Sequence, residues 1–235
     1  MRFGADEVRN EKAKVLQGIR PPAPDDVPDM AVRAQYAAGT AGGEPVPGYL
    51  EEEGVPPDSN TETFAAVRLE IDNWRWAGVP FYLRTGKRLA RKLTEIAVAL
   101  RPVPHLGFDQ EGSLGVKPNQ LILTMQPDEG VSLSLAAKIP GLRMRLRPVL
   151  MRFLYGTSFL SQSPEAYERL ILDVMRGDAT LFTRNHEVEA QWRVCDPIVR
   201  TWQSTPGPLP QYAAGSQGPP EAASLLLPGH HWRAI

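Results

Sequence analysis

Apolar and polar positions change rhythm three times along the chain. Over residues 6–19, Val8, Val15, Leu16 and Ile19 recur at i, i+7, i+8 and i+11, one face of a 3.6-residue helix. Pro21, Pro22 and Pro24 then end it. Residues 20–62 hold few apolar runs and many Gly and Pro, which predicts a long connection with local turns. From residue 64 the period falls to 2. In FAAVRLEI (64–71), Val67, Leu69 and Ile71 alternate with Arg68 and Glu70. In TEIAVAL (94–100), Ile96, Val98 and Leu100 alternate likewise. QLILTM (120–125) is a short apolar run, and VSLSLA (131–136) and LRMRLR (142–147) alternate strictly. Five strands without helices between them predict antiparallel pairing, with one apolar face and one Ser/Arg face. The helical period then returns. Ser163 and Pro164 read as an N-cap and a first-turn proline. Tyr167, Leu170, Ile171 and Val174 make the expected buried stripe, ended by Gly177. A last helix opens at Asn185 with Val188, Trp192 and Cys195 on one face, and Pro197 is expected to break or kink it. The tail from Ser204 reads as a surface wrap. The pattern predicts an α+β fold, a large, mostly antiparallel sheet backed by helices. It forms one domain over residues 1–235, made of helix plus connection (1–62), sheet (63–160), and helices with tail (161–235).

Composition narrows the function classes. A chain of 235 residues with a net charge of −1 is no general polyanion binder, so no nucleic-acid partner is expected. A single cysteine, Cys195, excludes an internal disulfide, and no apolar leader opens the chain; both point to a cytoplasmic location. No run approaches the ~18 apolar residues of a membrane span. The 20 glycines and 23 prolines exceed the ~12% of an average chain, so turns and connections are abundant.

Few residues offer chemistry. Neither a dinucleotide-binding nor a phosphate-loop glycine signature occurs, and GTAGG (39–43) reads as a turn. His105, His186, His230 and His231 lack metal-ligand spacing. Cys195, on an apolar helix face, reads as a buried inert thiol. Asp25, Asp26 and Glu51 to Glu53 fall in loops and read as solvated. What stands out is WAGVPFYLRTGKRLARKLTEI (76–96), with Arg84, Lys87, Arg88, Arg91 and Lys92 behind an aromatic run. Gly86 permits a tight bend and close ligand approach. An ammonium on a phosphate contributes about 1.5–3 kcal/mol. A solvated strand end, a phosphate grip and a non-specific nucleic-acid contact all fit this pattern.

Longer blocks carry a resemblance. DEVRNEKAKVL (6–16), AQYAAGTAGGEPVPGYLEEEGVP (34–56) and SNTETFAAVRLEIDNWRWAGVPFYLRTGKRL (59–89) come first. PNQLILTMQPDEG (118–130), PEAYERLILDVMRGDATLFTRNHEVEAQW (164–192) and YAAGSQGP (212–219) follow in order. Together they resemble the C-terminal domain of glucose-6-phosphate dehydrogenase. The resemblance implies oxidation of glucose 6-phosphate at C1 to the 6-phospholactone, with the hydride passing to NADP. It implies that Lys87 contacts the sugar phosphate, that Lys92 is a second basic contact, and that Gln126 contacts substrate as in some members. Arg84, Arg88 and Arg91 stay solvated. It also implies that the NADP site, in a Gly-rich Rossmann-type half, and the general-base histidine lie upstream of residue 1. No catalytic residue is therefore expected in this chain, and no dehydrogenase activity from it alone. An opening of Met1-Arg2-Phe3-Gly4 fits a truncated frame, an excised domain or a split gene. Thr124 stands where many members have Arg, which argues against a second, structural NADP, and Gln217 replaces a frequent Trp. The expected partners are glucose 6-phosphate, a second copy of the chain through the sheet, and a separate N-terminal half. The rival expectation is a non-catalytic assembly or regulatory protein derived from the enzyme.

Overall fold

The computed structural model describes residues 4–102, 118–142, 145–159, 166–205 and 207–234. In chain order its elements are α1 (Ala5–Gly18), α2 (Val27–Met30), β1 (Ala31–Ala37), β2 (Gly39–Ala41), β3 (Glu44–Val46), β4 (Phe64–Leu69) and β5 (Phe81–Gly86). Then come β6 (Thr94–Ala99), β7 (Gln120–Gln126), β8 (Gly130–Lys138), β9 (Leu146–Leu154), α3 (Tyr155–Phe159), α4 (Ala166–Arg176), α5 (Asn185–Ser204) and β10 (Gln211–Ala213). A 3-10 turn spans Pro220–Leu225. The chain divides into two compact units: one holds everything up to Arg91 together with α4 onward, the other runs from Lys92 through α3. The α+β class holds, and antiparallel pairing dominates both units.

In the first unit the sheet order is β10-β1-β4-β5, with β10 parallel to β1 and the other pairs antiparallel. β1 lies inside the stretch that reads as connection. Its sequence, AVRAQYA, buries mainly small or polar residues, Ala31, Ala34, Gln35 and Tyr36, so it carries no period-2 signal. Gln35 is satisfied there by donating to the carbonyls of Ser59 at 2.7 Å and Thr61 at 2.8 Å. Both sheet faces are covered. Ala34, Tyr36, Phe64, Ala66 and Tyr212 pack under Ala222, Leu225 and Trp232. Across the sheet, Val27, Ala31 and Ile198 pack with Val67 and Trp202. The alternation in FAAVRLEI identifies Val67 and misses Phe64 and Ala66, buried on the opposite face.

Helix α5 departs from the expected reading twice. It runs unbroken through Pro197, so the proline does not end it. Its buried residues are Glu187, Val194 and Ile198; Val188, Trp192 and Cys195 are exposed. Cys195 is therefore not a buried thiol. The buried face sits one position over because α5 packs an Arg/Glu-rich flank along α1: Arg193 donates to the carbonyls of Leu16 at 3.3 Å and Gln17 at 3.2 Å, capping that helix. Arg184 reaches Asp6 and, at 3.1 Å, Asn10, while Glu187 accepts from the Arg184 amide at 3.3 Å. On α4, Tyr167, Ile171 and Val174 are exposed, against the expected buried stripe. Ser163 and Pro164 lie outside the described residues.

The second unit is a four-stranded antiparallel sheet ordered β6-β7-β8-β9. Register places Ile96, Val98, Leu121, Leu123, Val131, Leu133, Leu135, Val149, Met151 and Phe153 on one face. Ser132 and Ser134 lie on the other, as the alternation of VSLSLA predicts, together with Arg152, Leu150 and the buried Ile122. The alternation of LRMRLR is not kept: Leu146 falls on the serine face and Arg147 on the face of Val149 and Met151, because β9 pairs one position out of step with that reading. The last strand begins at Leu146 and reaches Leu154, later than the 142–147 expectation. Leu142 is an exposed bend residue; Arg143 and Met144 lie outside the described residues. Pro148 does not stop β9, because at the edge of this sheet the lost amide is tolerated. Among the described residues no helix is long and apolar enough to cross a membrane.

Candidate functional site

The cationic stretch begins where β5 ends. β4 pairs with β5 until Phe64 stands opposite Gly86. A Cβ on Gly86 would lie 2.9 Å from Phe64 Cδ2 and 3.1 Å from Leu89 Cδ1, so glycine lets the chain turn back over the Phe64 ring. The loop that follows is held by its backbone. Lys87 N donates to Thr63 O at 2.8 Å, and Tyr212 Oη donates to Lys87 O at 2.7 Å. Gly215 N donates to Arg88 O at 2.7 Å, and Ala90 N to Ser216 O at 2.8 Å. Arg88 takes the left-handed conformation, with φ of 52°. Such a residue persists only where its surroundings over-determine it.

Side chains add to that hold. Arg88 Nη2 donates to Glu52 Oε1 at 3.3 Å, and Tyr36 Oη donates to the same oxygen at 2.8 Å. Tyr36 and then Arg88 hold the Glu52 carboxyl below its ordinary range, since both bonds favour the anion. Arg84 donates to the carbonyls of Gln217 and Arg233 and lies 5.2 Å over the Trp232 ring. Arg84 and Arg88 are therefore structural, not simply solvated. Lys87 is exposed, and among the described residues its ammonium has no hydrogen-bond or ion-pair partner.

Lys92 and Gln126 belong to the second unit, Lys87 to the first. Lys92 lies two residues before β6, whose Thr94 stands opposite Gln126 in β7. Register thus brings Lys92 and Gln126 to one end of the β6–β7 pair, and both are exposed. His105 lies outside the described residues. A dinucleotide does not fit what is present. Among the described residues the one parallel pair is β1–β10, and no glycine-rich turn leads from a parallel strand into a helix. What the first unit offers is a fixed backbone presenting one open ammonium, suited to an anion such as a phosphate ester.

Tyr212, Tyr36 and Glu52 carry no sequence signal for this role. Tyr212 sits in a tail that reads as a surface wrap, and its bond to Lys87 spans 125 residues.

The family model described as glucose-6-phosphate dehydrogenase, C-terminal domain, matches residues 1–233. Glucose-6-phosphate 1-dehydrogenase 2 of Mycobacterium tuberculosis is 50% identical over 232 residues, 98% of this chain and 45% of the relative. Glucose-6-phosphate 1-dehydrogenase of Rhizobium meliloti is 48% identical over 224 residues, 94% of this chain and 45% of the relative. A solved glucose-6-phosphate dehydrogenase in complex with its substrate glucose-6-phosphate superposes with a TM-score of 0.81 at 31% identity, over 99% of this chain and 46% of that one. The crystal structure of the Mycobacterium avium enzyme gives 0.78 at 34% identity, over 99% and 45%. The chain thus spans about half the length of the relatives it matches.

Proposed function

Because this chain belongs to the glucose-6-phosphate dehydrogenase family by its C-terminal domain, we propose that it supplies part of the sugar-phosphate pocket and the oligomerisation sheet of that enzyme. The reaction served is oxidation of glucose 6-phosphate to 6-phosphogluconolactone, in the oxidative pentose phosphate pathway. In the first unit Lys87 binds the phosphate dianion; in the second unit Lys92 is proposed as a basic contact and Gln126 as a substrate contact, each on the family resemblance alone. The observation that carries the reading is the Lys87 loop, whose backbone is fixed at Lys87 N, Lys87 O and Arg88 O while its ammonium stays open. Fixing the loop before ligand arrives lowers the ordering cost of binding.

These residues bind and orient; none moves the reacting hydrogen. NADP, the family's hydride acceptor, is held by a Rossmann-type half that these residues do not form. The single cysteine suits a cytoplasmic enzyme, and the sheet of the second unit serves a homodimer.

Titration of glucose 6-phosphate into the 235-residue chain tests the reading. Lys87→Ala is expected to weaken binding about 10- to 100-fold, the loss of one charge-assisted bond. NADP reduction by this chain alone is expected to be flat and to appear when a Rossmann-type half is added. Equal affinity in wild type and Lys87→Ala overturns the phosphate assignment. Turnover by the chain alone means that a residue within it acts as the base.

A further inference from the structure

We propose that Tyr212 is the positioning residue for Lys87, setting the direction of its side chain through a hydrogen bond to its own carbonyl. The inference rests on the reading of Lys87 as the sugar-phosphate contact and names what makes that contact selective for one geometry.

Tyr212 Oη lies 2.7 Å from Lys87 O, 3.2 Å from Thr63 O and 3.2 Å from Thr63 Oγ1. A phenol has one proton to donate, and the shortest acceptor is the Lys87 carbonyl. The Thr63 hydroxyl can then donate to the phenol oxygen. Lys87 N is bonded to Thr63 O, so the peptide groups flanking the Lys87 Cα are held by Thr63 and Tyr212, whose hydroxyls lie 3.2 Å apart. With both held, φ and ψ of Lys87 are confined to a narrow range, and so is the direction of its Cα–Cβ bond. Only the side-chain torsions remain to search for an anion.

The hydroxyl is itself immobile. Tyr212 is 3% exposed, in parallel register beside Tyr36 on β1. Its ring meets Phe64 at 5.6 Å and Tyr36 at 6.4 Å, both edge-on. Phe64 is the residue over which Gly86 lets the loop close. The core that fixes the tyrosine ring and the core that supports the loop are therefore the same cluster. Beyond Lys87, the Gly215 amide, three residues after Tyr212, holds the Arg88 carbonyl and supports its left-handed conformation. One short segment of the tail thus grips two successive carbonyls of the loop that presents the cation.

Tyr212→Phe tests this, because it keeps the ring and removes only the donor. The first readout is amide hydrogen exchange in the 235-residue chain, with the thermal midpoint measured alongside. Exchange at Lys87 and Ala90 is expected to accelerate about 10-fold while the β1–β4 ladder keeps its protection. The second readout is glucose 6-phosphate affinity, expected to fall about 3- to 10-fold, the worth of one neutral hydrogen bond. In a Lys87→Ala background the same change is expected to have no further effect on affinity, since Tyr212 acts through Lys87. Unchanged exchange at Lys87 and Ala90 overturns the proposal. So does uniform acceleration through β1 and β4, which would assign the hydroxyl to the core alone, or a full effect on affinity without Lys87. Local acceleration with wild-type affinity in Lys87→Ala would leave Tyr212 as the loop's anchor and reject Lys87 as the phosphate contact.

Discussion

Glu52 Oε1 takes two donors, the Tyr36 hydroxyl and the Arg88 guanidinium, and this has a consequence in acid. Its folded-state pKa is lowered, so the carboxylate binds protons less readily when folded than when unfolded. The stability it contributes is complete above the unfolded glutamate value of about 4.3 and is lost as pH falls through the lower folded value. An NMR titration of the Glu52 carboxyl is expected to show a midpoint below about 4.3, moving upward in Tyr36→Phe more than in Arg88→Met, because the tyrosine bond is the larger cause. A midpoint at or above the ordinary value would mean that the Arg88 turn is not held by an ionised Glu52. The residue scale is also where sequence reading was weakest. Lys87 is found in the sequence only with the help of a family resemblance, since five nearby cations look alike. Partners set Arg84 and Arg88 aside as bonded to protein, while Lys87, Arg91 and Lys92 stay exposed; what distinguishes Lys87 among these is the fixed backbone on both sides of it.

Among the elements, the joint between β1 and the end of α5 turns on one side chain. Arg33 leaves the sheet face that carries Val67, donates to Trp202 O at 2.6 Å and Thr205 O at 3.1 Å, and lies 5.8 Å over the Trp202 ring. Carbonyls of a last helical turn lack intrahelical partners, and a cation there also opposes the helix dipole. Arg33→Met keeps much of the apolar stem and is expected to cost about 1–3 kcal/mol in urea unfolding. A loss under about 0.5 kcal/mol would show that water replaces the guanidinium at no cost. The same joint shows why β1 was illegible as a strand: both of its faces are covered, it presents alanines where a half-buried strand would show large apolar residues, and its interior glutamine is satisfied by loop carbonyls. β8 was legible because one face carries Val and Leu and the other Ser, the period-2 rule in its plain form, and β7 was legible as a short apolar run whose Ile122 is buried on the serine face. Helix α5 was legible in extent and not in orientation. Its apolar positions are spread round the axis, and the buried face is chosen by Arg193 and Arg184 reaching α1.

For the molecule as a whole, the second unit carries the clearest unmet requirement. Ten apolar residues share one face of its sheet by register, and Ile96, Val149 and Met151 are 51%, 46% and 59% exposed. A contiguous apolar face of that kind marks an interaction surface. In the proposed homodimer a second copy of the chain covers this face. A C2 contact would place the same face of each sheet against the other. Light scattering over a concentration series is expected to give the mass of a dimer. Met151→Asp, on the apolar face, is expected to shift it toward monomer by burying an unpaired charge at the contact. Ser134→Asp, on the opposite face and two strand positions from Ser132, is expected to leave it unchanged. If Ser134→Asp dissociates the dimer and Met151→Asp does not, the copies meet through the Ser/Arg face, and the apolar face is covered by something else. If the wild-type chain is a monodisperse monomer at high concentration, the sheet does not drive association, and the open apolar face belongs to a contact that this chain makes with a different polypeptide.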